Sequence, residues 1–288
     1  MRVKIHPSEI KTLVPMSATL SRLTNLMSDI NAKTSDIARV IELDSVLTVN
    51  VLRWANSAFY GAHMPVESVR GAVIRLGMNN IIRLSIGSCL AGSMKQSVPG
   101  YRLAEQELWR HNVAAALTVE SLGALTRRPV PPAAFTAALI HDIGKVVLGQ
   151  HLQKEMFQQL QQLQQQEGLC YIEAERRLLE TDHAEVGAAI AGYLKFPEEL
   201  VKAIERHHDP APREDSLLDA VIIANAAAKQ IGFGSVCGTS LAGVLETAMR
   251  RYGLEQEQWD GLCETVKQRL AKVEEEWGGA QPEARSGS

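Results

Sequence analysis

Apolar residues recur at three- and four-residue spacing along almost the whole chain, and no alternating strand-like run bounded by turn residues interrupts them. That period admits one fold class, all-α. Ser35 stands where an N-cap would open a helix through Leu43, and a second helix over 44–57 sets Leu47, Val51, Trp54 and Ala58 on one stripe, closed by Gly61. Val69, Val73 and Leu76 repeat the pattern, and Gly77 is the expected positive-φ stop before a helix over 79–91. Longer helices are predicted over 104–125, 133–149, 152–166, 171–180, 184–194, 197–207, 216–231, 240–250 and 255–277. In the Gln-rich stretch 158–166, Leu160 and Leu163 keep helical spacing, which argues for an exposed amphipathic helix.

The formal charge is only −3, which argues against a dedicated nucleic-acid or anionic-membrane binder, but it is unevenly spread. Residues 1–104 hold twelve Lys and Arg against six Asp and Glu, so the remainder carries the acidic excess. The stretch 93–103, with Pro99 and Gly100 and little periodicity, lies where the sign changes. We therefore divide the chain into an N-terminal helical unit (1–100), a second helical unit (101–277) and a flexible tail (278–288). Cys89, Cys170, Cys237 and Cys263 show no paired spacing, so neither a disulfide framework nor a thiolate metal site is indicated. No apolar run approaches the roughly 20 residues that cross a bilayer, and the N-terminus lacks a signal-peptide core. A cytoplasmic protein without membrane partners is the expectation.

Five of the eight histidines mark the second unit at distinctive places: His111, the pair His141-Asp142, His183, and the pair His207-His208. Imidazole and carboxylate together suit divalent iron, manganese, zinc or nickel. Glu107 and His111, four residues apart, share a helical face, whereas adjacent His141 and Asp142 diverge by about 100° and would flank one ion or bridge two. His6, His63 and His151 read as ordinary hydrogen-bonded residues.

The stretch FTAALIHDIGKVVL (135–148) resembles the core motif of the HD superfamily of metal-dependent phosphohydrolases. LRWANSAFYG (52–61), SVRGAVIRLGMNNIIRL (68–84) and LWRHNVAAAL (108–117) resemble the HDOD family, a bacterial signalling branch of that superfamily. The likeness covers about residues 13–232. It implies an N-terminal helical subdomain packed on an HD-type bundle. It also implies a primary metal centre of His111, His141 and Asp142, with Glu107, His183, His207 and His208 available to further metals and Lys145 facing a substrate phosphate. Asp142 and Lys145 would carry catalysis in an active enzyme. The pattern departs at Asn225, where catalytic relatives place an aspartate. An amide lacks the charge that offsets a cation, so weakened metal affinity is implied. Asp219, six residues earlier and about 120° away around the helix, is poorly placed to substitute. The Gly-Tyr-Pro loop of cyclic-dinucleotide phosphodiesterases is replaced by HHDPAPRED, which counts against cyclic di-GMP hydrolysis.

The leading reading is thus a bacterial signal-transduction output or coupling module with a degenerate metal site and little or no catalysis. Its expected partners are receiver, kinase or cyclic-dinucleotide domains, and its expected ligand is a nucleotide or phosphate. A receiver domain of about 100–150 residues would have to come from a separate protein or segment. The competing readings are a metal-dependent phosphohydrolase acting on a nucleotide or other phosphoester, and a nucleic-acid-binding regulator. The last draws on the basic excess (Arg53, Arg70, Arg75, Arg83) and on a helix-turn-helix-like stretch at 34–56, but lacks a basic aromatic cluster. Docking against the acidic second unit accounts for the same charges.

Overall fold

A computed structural model of the chain describes residues 6–29, 31–57, 60, 64–152, 154–209, 214–233 and 242–278. It is 76% helical, with no strand among the described residues. The N-terminal layer comprises α1 (Pro7–Leu13), α2 (Ala18–Ser28), α3 (Thr34–Glu42), α4 (Ser45–Ala55), α5 (Val69–Leu76) and α6 (Met78–Met94). The predicted stripe is buried at Leu47, Val51 and Trp54, as are Val69, Val73 and Leu76, while Ala58 and Gly61 lie outside the described residues. Gly77 takes φ 81°, joining α5 directly to α6. The start of α3 corrects the expected Ser35 cap. Lys33 is the N-cap, and Asp36 reaches back 3.0 Å to its backbone N–H, because an acidic residue at the third helical position satisfies that orphan donor. A further departure is that α1 and α2 form ahead of the first helix expected from periodicity.

The bundle comprises α7 (Glu107–Thr126), α8 (Ala134–Ile140), α9 (Gly144–His151), α10 (Lys154–Glu167), α11 (Tyr171–Leu179), α12 (His183–Tyr193), α13 (Glu198–Arg206), α14 (Ser216–Gln230), α15 (Ala242–Tyr252) and α16 (Gln256–Gly278). Helix α7 is its axle, packed by α8, α14 and α16. One continuous apolar core runs from Ile10 to Val273 through both layers. Burial of this kind contributes about 25 cal/mol per Å² of apolar surface, which is why short helices unstable alone persist here.

The segment between the layers is closely packed. Pro99–Tyr101 form a 3₁₀ turn, Val98 and Leu103 pair as an isolated bridge, and a Cβ on Gly100 would meet the Gly149 carbonyl at 2.3 Å. Two arginines of the basic excess bind backbone: Arg75 donates to Ala55 O and Met64 O, and Arg83 donates to Pro132 O at 2.6 Å, tying α6 to the bundle. His151 joins Glu9 of α1 at 2.7 Å. The tail from residue 279 onward, His63 and Cys237 lie outside the described residues.

Candidate metal centre

The helix predicted over 133–149 is two helices, and the interruption falls on the signature. His141, Asp142 and Ile143 form a turn whose backbone bonds span three residues (Ile143 to Ile140 O, Lys145 to Asp142 O). The turn leads directly into Gly144, where a Cβ would lie 1.9 Å from His183 O and 2.6 Å from Gly187 N. Without a side chain, α9 crosses the start of α12 in backbone contact, and His183 is brought beside Asp142. Asp182 fixes that start by accepting the N–H groups of Ala184 and Glu185, both at 2.8 Å. His207 and His208 follow the last residue of α13, and His111 comes from the first turns of α7.

All five imidazoles and Asp142 are buried. Asp142 Oδ2 lies 3.3 Å from His111 Nε2 and 3.6 Å from His141 Nε2, while Oδ1 lies 3.3 Å from His183 Nε2 and 3.7 Å from His207 Nε2. Two ligand groups result, His111/His141/Asp142 and Asp142/His183/His207/His208, each with donor atoms within 4.8 Å of one another. One carboxylate therefore faces both.

The outer nitrogens decide what the inner ones are. His111 Nδ1 meets Phe233 O at 2.9 Å, His141 Nδ1 meets Ala138 O at 2.8 Å, and His207 Nδ1 meets Ile204 O at 2.6 Å. A carbonyl only accepts, so each of these rings carries its proton on Nδ1 and turns a bare Nε2 inward. His111 Nε2 and His141 Nε2 then stand 3.0 Å apart, lone pair against lone pair. Asp142 Oδ1, His183 Nε2 and His207 Nε2 are buried without a hydrogen-bond partner. Inward lone pairs of this density, with the outer nitrogens of His111, His141 and His207 pinned, fit a divalent metal ion and are costly without positive charge among them.

Electrostatics agree with this arrangement. Burial drives the His111 pKa down to about 4, and burial likewise holds His141 and His208 well below the usual imidazole value and lowers His207. Neutral imidazole is the metal-binding form. Burial opposes charging at His183 too, but Glu175 and Asp142 outweigh it and raise its pKa to about 9. Asp142 is held well below the carboxylate range, because Lys145 and the surrounding histidines overcome its burial.

The remaining predicted residues take other places. Lys145 donates to Asp142 Oδ2 at 2.6 Å while lining the adjoining cavity of about 350 Å³. Glu107 lines the same cavity, but its carboxylate accepts the Ala104 N–H at 2.8 Å, closing the start of α7, and it belongs to neither ligand group. Asn225 is buried with its Oδ1 unpartnered, one turn before the cavity-lining Lys229. Asp219 pairs with Arg251 at 3.1 Å.

Sequence reasoning missed Glu175, which is fully buried and accepts both the His183 backbone N–H (2.9 Å) and Nδ1 (2.7 Å). The signal was present: Glu175 interrupts the apolar face of α11 between Ile172 and Leu179. Arg102, Lys229, Tyr101 and Tyr171, which also wall the cavity, carried no such mark.

The HDOD domain family model matches residues 13–210. An uncharacterized protein of Treponema pallidum (strain Nichols) is 26% identical over 222 residues, covering 75% of this chain; the chain spans 42% of that relative's length. Among solved structures, an HDOD domain protein of unknown function from Geobacter sulfurreducens superposes with a TM-score of 0.68 at 24% identity, covering 91% of this chain and 92% of the other. A protein from Marinobacter aquaeolei VT8, provisionally described as a signal transduction protein, gives 0.68 at 23% identity, covering 95% of this chain and 61% of its own. With the match running from α1 past the paired histidines, this chain belongs to the HDOD family.

Proposed function

We propose that the chain is a signalling output or coupling module whose metal centre binds a phosphorylated ligand without turning it over. The observation that carries this reading is Asn225, a neutral amide buried on α14 with its Oδ1 unpartnered, at the position where the family resemblance implies a carboxylate in catalytic relatives. His111, His141 and Asp142 would hold one iron, manganese, zinc or nickel ion, and Asp142, His183, His207 and His208 a second. A bound divalent ion supplies Lewis acidity and positive charge. The chain's own Lys145, Lys229 and Arg102 supply further positive charge along the cavity wall, suited to phosphate oxygens. With one anion fewer at Asn225, orienting a hydroxide is disfavoured, and binding would be relayed as a shift in conformation. A description as a signal transduction protein attaches to the Marinobacter structure and is consistent with that role.

The second reading, a metal-dependent phosphohydrolase, is favoured by Lys145, whose ammonium reaches the centre from a cavity large enough for a phosphoester. Anaerobic purification, metal analysis and hydrolysis of bis-p-nitrophenyl phosphate and nucleotides with manganese or iron separate the two. The expected result is metal without turnover, and turnover gained by Asn225→Asp. Hydrolysis by the natural protein that His141→Ala abolishes would establish the enzyme instead.

A further inference from the structure

A second cavity, of about 400 Å³, opens at the seam between the two layers, on the other side of α7 from the metal centre. Its walls are aromatic: Trp54 from α4, Trp109 from α7 and Phe135 from α8. Two cations reach it from the N-terminal layer. Lys95, just past α6, holds its ammonium 4.7 Å from the Trp109 ring, and Arg53 on α4 lies close enough for the two charges to repel. Burial, reinforced by Arg53, lowers the Lys95 pKa.

Among the described residues neither cation pairs with an acid. No carboxylate lines this cavity among the described residues, Arg53 Nε is buried without a hydrogen-bond partner, and the nearest acceptor on its guanidinium is Asn50 Oδ1 at 3.4 Å from Nη2. Two like charges partly withdrawn from water against aromatic walls cost free energy unless an anion joins them. Gly92 of α6 lines the exposed rim of this cavity, where a Cβ would meet nothing within 4 Å. The cavity's size is within the usual range of small-molecule sites, mostly apolar with a few convergent polar groups.

We propose that this seam cavity binds a small organic anion with a flat apolar body, its acidic group between Arg53 and Lys95 and its body against Trp54, Trp109 and Phe135. The site is independent of the metal centre and of its reading.

The probes are 8-anilinonaphthalene-1-sulfonate and its uncharged counterpart N-phenyl-1-naphthylamine, titrated by fluorescence and calorimetry into the full chain, before and after EDTA treatment. One equivalent of the sulfonate is expected to bind with micromolar affinity, unaltered by EDTA. Gly92→Leu, which adds an apolar side chain at the cavity rim, should weaken binding of both probes at least tenfold with the circular dichroism spectrum unchanged. Lys95→Gln, and Arg53→Met with it, should weaken the sulfonate at least tenfold and leave the neutral probe within twofold. If Arg53→Met fails to fold, Lys95→Gln alone gives the reading. No sulfonate binding, or binding indifferent to Gly92→Leu, would overturn the site. Equal loss of both probes in Lys95→Gln would overturn the anion, leaving an apolar pocket.

Discussion

Two cavities flank α7, and they bury polar groups in opposite ways. At the metal centre every imidazole except His208 has its outer nitrogen fixed by a backbone carbonyl or Glu175, so the inward lone pairs have one geometry. At the seam, Arg53 and Lys95 are long, half-exposed side chains with few fixed contacts, and the walls are set by ring packing. The first is built to hold a small hard charge at defined distances; the second tolerates shape. Pinned donors signal coordination, whereas unmatched charge on flexible stems signals an exchangeable ligand.

The contrast is broken most severely by Asp142→Ala. Because one carboxylate faces both ligand groups, metal content measured by mass spectrometry should fall in both, with affinity lower by more than about 100-fold. Retention of one full equivalent would show that the groups are separate. Gly144→Ala comes next: with Cβ forced onto the His183 carbonyl, urea denaturation should report a loss of about 3 kcal/mol, and metal content should drop with it.

Glu175→Gln preserves shape but weakens the acceptor that orients His183, so metal affinity should fall by about 10- to 100-fold with little change in fold by circular dichroism. In metal-free protein the buried histidines set the pH response. His111 has a folded pKa of about 4, below its ordinary value of 6.5, so the unfolded chain takes up the proton first as pH falls. Its contribution is full above pH 6.5 and is lost progressively toward about 4. Unfolding free energies from urea denaturation across that window should decline, by about 1 kcal/mol per pH unit from His111 alone. His183 works with the opposite sign: its pKa of about 9 gives stability that is fully present below 6.5 and lost as pH rises through 9. The smallest effect is expected from Gly92→Ala in the seam, where open space and a helical backbone should yield a gain of about 0.5–1 kcal/mol. A loss as large as that of Gly144→Ala would erase the distinction between the two walls.

The helical class was legible because period survives without tertiary context, and the clustered His and Asp residues stood out because His next to Asp and His next to His are unusual pairs on a mostly apolar helical pattern. The break at 141–143 was not legible, since the apolar spacing runs through it unbroken and the close approach of α12 at Gly144 that follows it is a contact between residues some forty positions apart. Glu107 was drawn to the centre by its spacing from His111, but a carboxylate in a helix's first turn has a nearer use at orphan backbone N–H groups. The seam cavity had no sequence signature, because its volume depends on how α4, α6 and α7 fail to close around small residues.

Helix α7 sends His111 into one chamber and Trp109 and Val113 into the other. The two chambers thus share one helix as a common wall, so a substitution that displaces it alters the lining of both. Any lesion engineered along this shaft therefore has two readouts, and attributing its phenotype to one chamber requires a measurement in both.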